Sequence, residues 1–157
     1  HLLAVPRTEK FAGNINADRV ATVALCHGAT ETRYGDIVSP TKYANPEIAR
    51  EFKKIEYLAE KECLASLPEE FQELFSDIIV QDNVDIEYKK IVKAADILVA
   101  YIKALDELAH QNHEFDHVEE RLEKKLDEIK QQMPEVDYFL NTFLAACSST
   151  VDRLSQN

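Results

Sequence analysis

The scarcity of turn-forming residues, together with the spacing of apolar side chains, limits the fold of this chain most. Its 157 residues include only 3 glycines and 5 prolines, too few for the tight turns that join the strands of a sheet. Apolar residues recur instead at the spacing of one face of an α-helix. We therefore predict an all-α protein, a single-domain helical bundle over residues 1–157.

Capping residues and apolar periodicity locate the predicted helices. The run 45–47 (NPE) combines a capping side chain, a proline in the first turn and an acid beside the helix dipole. Residues 28–44 are predicted to form a loop, and residues 1–5 the last turns of a helix, so that the N-terminal helices of the domain would precede residue 1. The predicted helices cover residues 16–27, 45 onward (Ile48, Phe52, Ile55, Ala59), 68–78, 86–109, 114–132 and 134 onward (Phe139, Phe143, Ala146, Leu154).

Charge and cysteine content exclude several functions. The formal net charge is −11, and a surface this acidic repels phosphate backbones and anionic lipids, which argues against a nucleic-acid polymer or a membrane as partner. A small phosphorylated ligand is compatible with it, because a bound cation reverses the local field. No apolar run approaches the roughly 18 residues of a membrane span. The 3 cysteines lie far apart, which favours free thiols in the cytoplasm.

Asp96 and His27 are notable because each lies beside an apolar helical stripe. A buried carboxylate needs a partner, and for Asp96 the residues favour Lys93 or another surface cation over the alternative, a metal ion. A lone histidine on such a stripe is more often a hydrogen-bonded core residue than a metal ligand. Glu31 follows His27 closely enough to share its local surface if the helix continues. The residues alone leave these alternatives open.

A second group of histidines lies between the last long helices. His113 and His117 have the i, i+4 spacing of two metal ligands on a helix. They open a strongly charged helix together with His110, Asp116 and Glu120, and no glutamate takes the place that a metalloprotease motif requires. We therefore interpret this group as a solvated helix face.

Several ordered motifs give the chain a family resemblance over nearly its whole length. They are residues 10–14 (KFAGN), 25–31 (LCHGATE), 34–43 (YGDIVSPTKY), 92–96 (VKAAD), 100–105 (AYIKAL), 107–108 (EL) and 137–139 (DYF). Together they resemble the bacterial 5′-deoxynucleotidases of the YfbR type, which are HD-superfamily phosphohydrolases. The resemblance implies an all-α metal-dependent phosphomonoesterase that hydrolyses 2′-deoxynucleoside 5′-monophosphates and forms a homodimer.

The resemblance also implies roles for individual residues. A divalent transition metal, cobalt or manganese, would be held by a histidine before residue 1, by the His-Asp pair and by a later aspartate. Carried over by position, His27 is the histidine of the pair, and Asp96 is the later aspartate, assigned to both metal and substrate. Glu31 matches the catalytic acid near the phosphate. The stretch that contacts the deoxynucleotide is matched by Asp36, Ile37, Val38 and Ser39.

The chain departs from this pattern at Gly28, where the family has the aspartate of the His-Asp pair. Milder departures are Val38 and Ser39, where the family has proline and threonine. Glycine supplies no metal ligand, so a rival hypothesis is a degenerate HD-fold protein that binds nucleotide or a protein partner without turnover. A second rival is a helical interaction module. The enzymatic hypothesis predicts that His27, Glu31 and Asp96 face one cavity.

Overall fold

The computed structural model describes residues 1–147, and most of these residues are helical with no strand among them. The α-helices are α1 (Ala4–Glu9), α2 (Ala17–Cys26), α3 (Glu31–Tyr34), α4 (Ser39–Lys42), α5 (Pro46–Ala65), α6 (Glu69–Ile79), α7 (Ile86–Ala109), α8 (Asp116–Lys130) and α9 (Pro134–Cys147). Single 3₁₀ turns at Gln81–Asn83 and His113–Phe115 precede α7 and α8. The prediction of an all-α chain is confirmed.

The chain divides into two compact units, each described here by itself. Unit 1 comprises His1–Ala17 and the described residues from Lys90 onward, and unit 2 comprises Asp18–Lys89. In unit 1, α9 packs against α1 and α8. In unit 2, α5 packs against α4 and α6. Buried apolar residues include Leu3, Ala4, Ile91, Leu98, Leu122, Leu126 and Val136 in unit 1, and Val20, Val23, Ala59, Ile78, Val80 and Val84 in unit 2.

The strongest sequence signals for helix ends agree with the structure. The Asn45 side chain accepts hydrogen bonds from the backbone N–H groups of Glu47 and Ile48 at 3.0 and 2.9 Å, so the predicted cap begins α5. Helix α7 has the predicted bounds, and α9 begins at Pro134 as expected. Leu154, which was predicted to extend the last apolar stripe, lies outside the described residues.

Two predictions about the N-terminal third were wrong. Residues 28–44 are not simply a loop, because they contain the one-turn helices α3 and α4; one turn is too short to show an apolar period. Residues 1–5 do not end a helix, since α1 begins at Ala4 and continues to Glu9. The predicted stripe of α5 is buried only at Ala59, while Ile48 and Ile55 are exposed by 37% and 45%.

No helix within residues 1–147 is both long enough and apolar enough to cross a membrane.

Candidate active site

The candidate residues from His27 to Ser39 lie on one winding segment of unit 2. Helix α2 ends at Cys26, and single turns follow in which the N–H of Ala29 bonds to Cys26 and that of Glu31 bonds to Gly28, both at 3.1 Å. His27 is therefore just beyond the helix, and its side chain is exposed rather than part of a core stripe. This overturns the interpretation of His27 as a buried, hydrogen-bonded histidine.

Glu31 begins α3 and turns its carboxylate back over Gly28. A Cβ atom placed on Gly28 would lie 3.2 Å from Glu31 Oε2 and 3.7 Å from Oε1. The next reversal occurs at Gly35, whose φ of 76° is in the left-handed region that favours glycine. Gly35 donates its N–H to the carbonyl of Glu31 at 2.7 Å and ends α3.

The substrate-binding residues predicted from the sequence follow this reversal. Asp36, Val38 and Ser39 are exposed, and Ile37 is half-buried. Ser39 opens α4, where the N–H groups of Thr41 and Lys42 bond to the carbonyl of Val38. These four consecutive residues, two polar and two apolar, therefore form an accessible strip between two helical turns.

Two ion pairs hold this segment on α5. Arg33 of α3 contacts Glu62 at 2.8 Å, and both side chains are exposed. Lys42 of α4 contacts Glu56, and that pair is half-buried. Burial by itself would lower the pKa of Lys42, but the hydrogen bond to Glu56 raises it overall. Helix α5 is thus the support on which α3 and α4 rest.

The turn beside Glu31 is braced by a buried hydroxyl. The Thr30 side chain is hydrogen-bonded to the phenol of Tyr34 at 2.9 Å, and Thr30 is only 7% exposed. Burial raises the pKa of the Tyr34 phenol, although the bond to Thr30 lowers it, and the negative charges of Glu56 and Glu31 add to the rise. The phenol therefore stays protonated at neutral pH and fixes the turn as a neutral hydrogen-bonding group.

Asp96 lies in unit 1, on α7, and its carboxylate is exposed. Its Oδ2 accepts a hydrogen bond from Lys93 Nζ at 2.6 Å, and the two side chains are 50% and 63% exposed. The surface lysine, which was one of the two partners considered from the sequence, therefore pairs with Asp96 in this structure. An exposed pair of this kind contributes little to stability and is readily exchanged for another partner.

Among the described residues, the side chains that could bind a metal ion are too few in each unit to form a site. Within either unit, no group of three or more histidine, cysteine, aspartate or glutamate side chains among residues 1–147 is arranged to hold a metal ion. Imidazole and carboxylate are the right donor classes for a divalent transition metal. Their number falls short of the three protein ligands of an ordinary catalytic site, so the donors that either unit provides do not form a complete metal site.

The histidine group of the later helices is solvated, as predicted. His113 and His117 are 77% and 98% exposed, and their nearest acids are Asp116 at 3.5 Å and Glu120 at 3.9 Å. His113 lies in a 3₁₀ turn before α8, so the predicted i, i+4 pair on one regular helix was wrong.

The outermost motifs of the family resemblance contact each other in unit 1. Lys10 Nζ lies 4.0 Å from the ring centroid of Tyr138, and the ring of Phe11 meets the same ring edge-on. Gly13 lies against Arg7, because its N–H bonds to the Arg7 carbonyl at 2.8 Å. These motifs thus join α1 to α9.

The supporting residues Thr30, Arg33, Glu56 and Glu62 were not predicted from the sequence. Only the Thr30–Tyr34 contact had a sequence signal, its i, i+4 spacing within one helical turn. The acids of α5 come 14 and 29 positions after their cations, and no local pattern indicates such pairs.

Comparison with known proteins decides the family. The sequence pattern of the family described as "5′-deoxynucleotidase YfbR-like" matches residues 1–147. The chain belongs to the YfbR-like 5′-deoxynucleotidase family. A 5′-deoxynucleotidase of Vibrio vulnificus is 47% identical over 155 residues, which cover 99% of this chain and 79% of that protein. Similar proteins named 5′-deoxynucleotidase occur in Photorhabdus laumondii and Yersinia pestis, with 45% and 43% identity over 99% of this chain and 78% of each relative.

Proposed function

We propose that this chain is a phosphomonoesterase that hydrolyses 2′-deoxynucleoside 5′-monophosphates to a deoxynucleoside and phosphate. The observation that carries the proposal is the family match over residues 1–147, joined by relatives named 5′-deoxynucleotidase that align with 99% of the chain. The accessible strip from Asp36 to Ser39 supports it, because a phosphorylated ligand needs exposed polar groups on a fixed backbone.

The proposed roles follow from the chemistry of the side chains. Glu31 carries an exposed carboxylate that could accept or return a proton near the phosphate. The Asp36 carboxylate accepts hydrogen bonds and suits the sugar hydroxyl, while Ser39 can both donate and accept. Ile37 and Val38 supply apolar surface between them. Asp96 is proposed to contact metal and substrate, which requires it to release Lys93.

We further propose that activity needs a divalent transition metal, cobalt or manganese. A bound cation of this kind neutralises phosphate charge and lowers the pKa of a bound water. His27 and Asp96 are the proposed protein ligands. The acidity of the chain supports the requirement, because a net charge of −11 repels a phosphorylated substrate unless a cation compensates.

Phosphate release by the purified chain tests the proposed reaction. The assay offers 2′-deoxynucleoside 5′-monophosphates with added cobalt or manganese, and uses ribonucleoside 5′-monophosphates and deoxynucleoside 3′-monophosphates as matched substrates. We expect release from the deoxy 5′-compounds, at a low rate because of Gly28, and loss of release after treatment with a chelator. Equal rates on all three substrate classes would contradict the substrate assignment.

A second candidate is a protein that binds the nucleotide without turnover. Gly28 favours it, since a bare Cα provides neither a metal ligand nor an acceptor for an attacking water. Calorimetric titration with a deoxynucleoside monophosphate separates the two candidates. Binding with no phosphate release, both in the natural sequence and in Gly28→Asp, would establish the binding protein and reject the enzyme.

The proposed assembly is a homodimer in the cytoplasm. The three thiols Cys26, Cys63 and Cys147 are free, which suits a reducing compartment. Ile48, Ile55 and Leu58 expose apolar surface on α5, and such a patch is typical of a protein interface. Sedimentation analysis at micromolar concentration tests the dimer, and a monomer there would contradict it.

A further inference from the structure

Glu31 lies on a helix that is too short to keep its shape by itself. Helix α3 has 4 residues, and a single turn forms few backbone hydrogen bonds for the conformational freedom that it loses. The N–H of Glu31 donates to the Gly28 carbonyl at 3.1 Å, and the Glu31 carbonyl accepts the N–H of Gly35 at 2.7 Å. The direction of the Glu31 side chain therefore depends on the contacts that keep this turn closed.

A side-chain hydrogen bond closes the turn across Glu31. The hydroxyls of Thr30, directly before Glu31, and of Tyr34, at the end of α3, lie 2.9 Å apart. Thr30 is buried and Tyr34 is half-buried, so water competes little for this bond. A buried hydroxyl that loses its partner is costly, whereas replacing both partners by apolar groups of similar shape costs little. The bond can therefore be removed in two ways that differ in their effect on stability.

The end of the Glu31 side chain is not fixed by another side chain. Within residues 1–147 its carboxylate makes no ion pair or side-chain hydrogen bond, and the neighbouring cation Arg33 contacts Glu62 at 2.8 Å. The carboxylate lies instead over Gly28, with Oε2 at 3.2 Å from the position of a Cβ on that residue. Because no partner holds the carboxylate, its position is set by the backbone of Glu31 and so by the turn.

We propose that Thr30 and Tyr34 are a positioning pair, whose hydrogen bond aims the Glu31 carboxylate for proton transfer at the substrate phosphate. This inference rests on the proposed function. Neither hydroxyl touches the substrate, and both act through Glu31. The phenol is protonated at neutral pH because burial raises its pKa, so the pair sets a direction without adding a charge beside the phosphate. Proton transfer depends steeply on geometry, so loss of the pair should slow turnover more than it weakens substrate binding.

A double-mutant cycle on turnover tests the proposal. The natural sequence, Thr30→Val, Tyr34→Phe and the double variant are assayed for kcat and KM on a 2′-deoxynucleoside 5′-monophosphate with added cobalt or manganese. We expect each single variant to lower kcat about tenfold and to leave KM within about twofold, because a displaced carboxylate slows the chemistry without removing a contact to the substrate. The double variant should have the same kcat as the single variants, because both changes break one bond.

Urea unfolding of the same proteins separates positioning from a purely structural role. Tyr34→Phe leaves the buried Thr30 hydroxyl without its partner and should lower the free energy of unfolding. The double variant replaces both hydroxyls by apolar groups and should recover most of that loss. Its kcat should stay low, since the hydrogen bond is still absent. Recovery of kcat together with stability would overturn the proposal.

Conservative changes serve as controls. Thr30→Ser keeps the hydroxyl and should retain kcat within about twofold. Tyr57→Phe removes an exposed phenol on α5 and should change neither kcat nor stability. Unchanged kcat in both Thr30→Val and Tyr34→Phe would reject this inference and leave the proposed function intact. No phosphate release by any of these proteins would reject the proposed function, and this inference with it.

Discussion

At the scale of single residues, glycine stands at each of its three positions for a different physical reason. Gly35 supplies a positive φ, which most other residues adopt only with strain. Gly13 supplies space, since a Cβ there would lie 2.8 Å from the Arg7 carbonyl oxygen. Gly28 needs neither a positive φ nor clearance from the backbone, and the three atoms closest to the position of its missing Cβ all belong to the Glu31 carboxylate. A substitution at Gly28 therefore changes the chemistry of the site with little effect on the fold.

Glu60 gives a prediction about pH at this same scale. It is 6% exposed and accepts the backbone N–H of Gln81 at 3.0 Å. Burial raises its pKa; the Gln81 bond and Lys89 lower it, while Asp82 and Glu56 add to the rise. Because the folded pKa is above the ordinary value, the protonated form favours folding. That stabilisation is complete below about pH 4.3 and is lost as the pH rises through the folded pKa.

We expect Glu60→Gln to remove this pH dependence. Glutamine keeps an acceptor for the Gln81 N–H without a charge, so the variant should be more stable than the natural protein at pH 7. The advantage should shrink as the pH falls to 4. Urea unfolding at both pH values measures the difference, with the exposed Glu70→Gln as control. A constant difference between Glu60→Gln and the natural protein would refute the assigned pKa direction.

At the scale of elements, α5 is the support of the candidate site. The one-turn helices α3 and α4 are too short to be stable alone, and Arg33–Glu62 and Lys42–Glu56 join them to α5. The Lys42–Glu56 pair is half-buried, whereas the Arg33–Glu62 pair is exposed. The Lys42–Glu56 pair should therefore do more to hold its helix on α5. Mobility of α4 would move Asp36 and Ser39 with it.

Lys42→Met therefore tests whether α5 positions the accessible strip from Asp36 to Ser39. Loss of the ion pair should weaken the binding free energy of a deoxynucleoside monophosphate by roughly 1 kcal/mol, because α4 is then held less firmly. KM should rise about fivefold, while kcat changes less. Glu56→Gln should have a similar effect, and the two effects should not add. Arg50→Met is the matched control, because the ion pairs of Arg50 with Glu47 and Glu51 are long, at 3.7 and 3.9 Å, and exposed. Additive KM effects would contradict the assigned pair.

The contact between α1 and α9 gives a prediction about stability. Arg7 Nη1 lies 3.3 Å from Oε1 of Glu135, a carboxylate with no solvent exposure. Arg7→Met would leave that buried charge without its cation, which costs about 3 kcal/mol. Lys10→Met, which removes the cation–π contacts with Tyr138 and Phe11, should cost less than about 1 kcal/mol. Denaturant unfolding measures the loss of unfolding free energy in both variants. Equal losses in Arg7→Met and Lys10→Met would contradict a larger contribution from the buried Arg7–Glu135 pair.

At the scale of the whole molecule, the sequence predicted long helices better than short ones. Helix α7 has many turns of apolar periodicity, and the Asn45 cap has a local signature, so both were predictable. Helices α3 and α4 have one turn each and no period. Lys42 and Glu56 lie on different elements, and their pairing depends on packing that no local pattern encodes. The candidate residues came from ordered motifs, whereas the carboxylate over Gly28 is visible only in three dimensions.

We propose that this chain has the chemistry of a 5′-deoxynucleotidase and that glycine at position 28 deprives it of one acid. Phosphate release tests this proposal. Gly28→Asp is compared with Gly28→Asn at the same cobalt or manganese concentration, because the two side chains have nearly the same shape and differ in charge. We predict that Gly28→Asp exceeds both Gly28→Asn and the natural sequence by about 10²-fold, the scale of a lost metal-site or acid–base group. Equal rates in all three proteins would show that an acid at position 28 takes no part in the reaction.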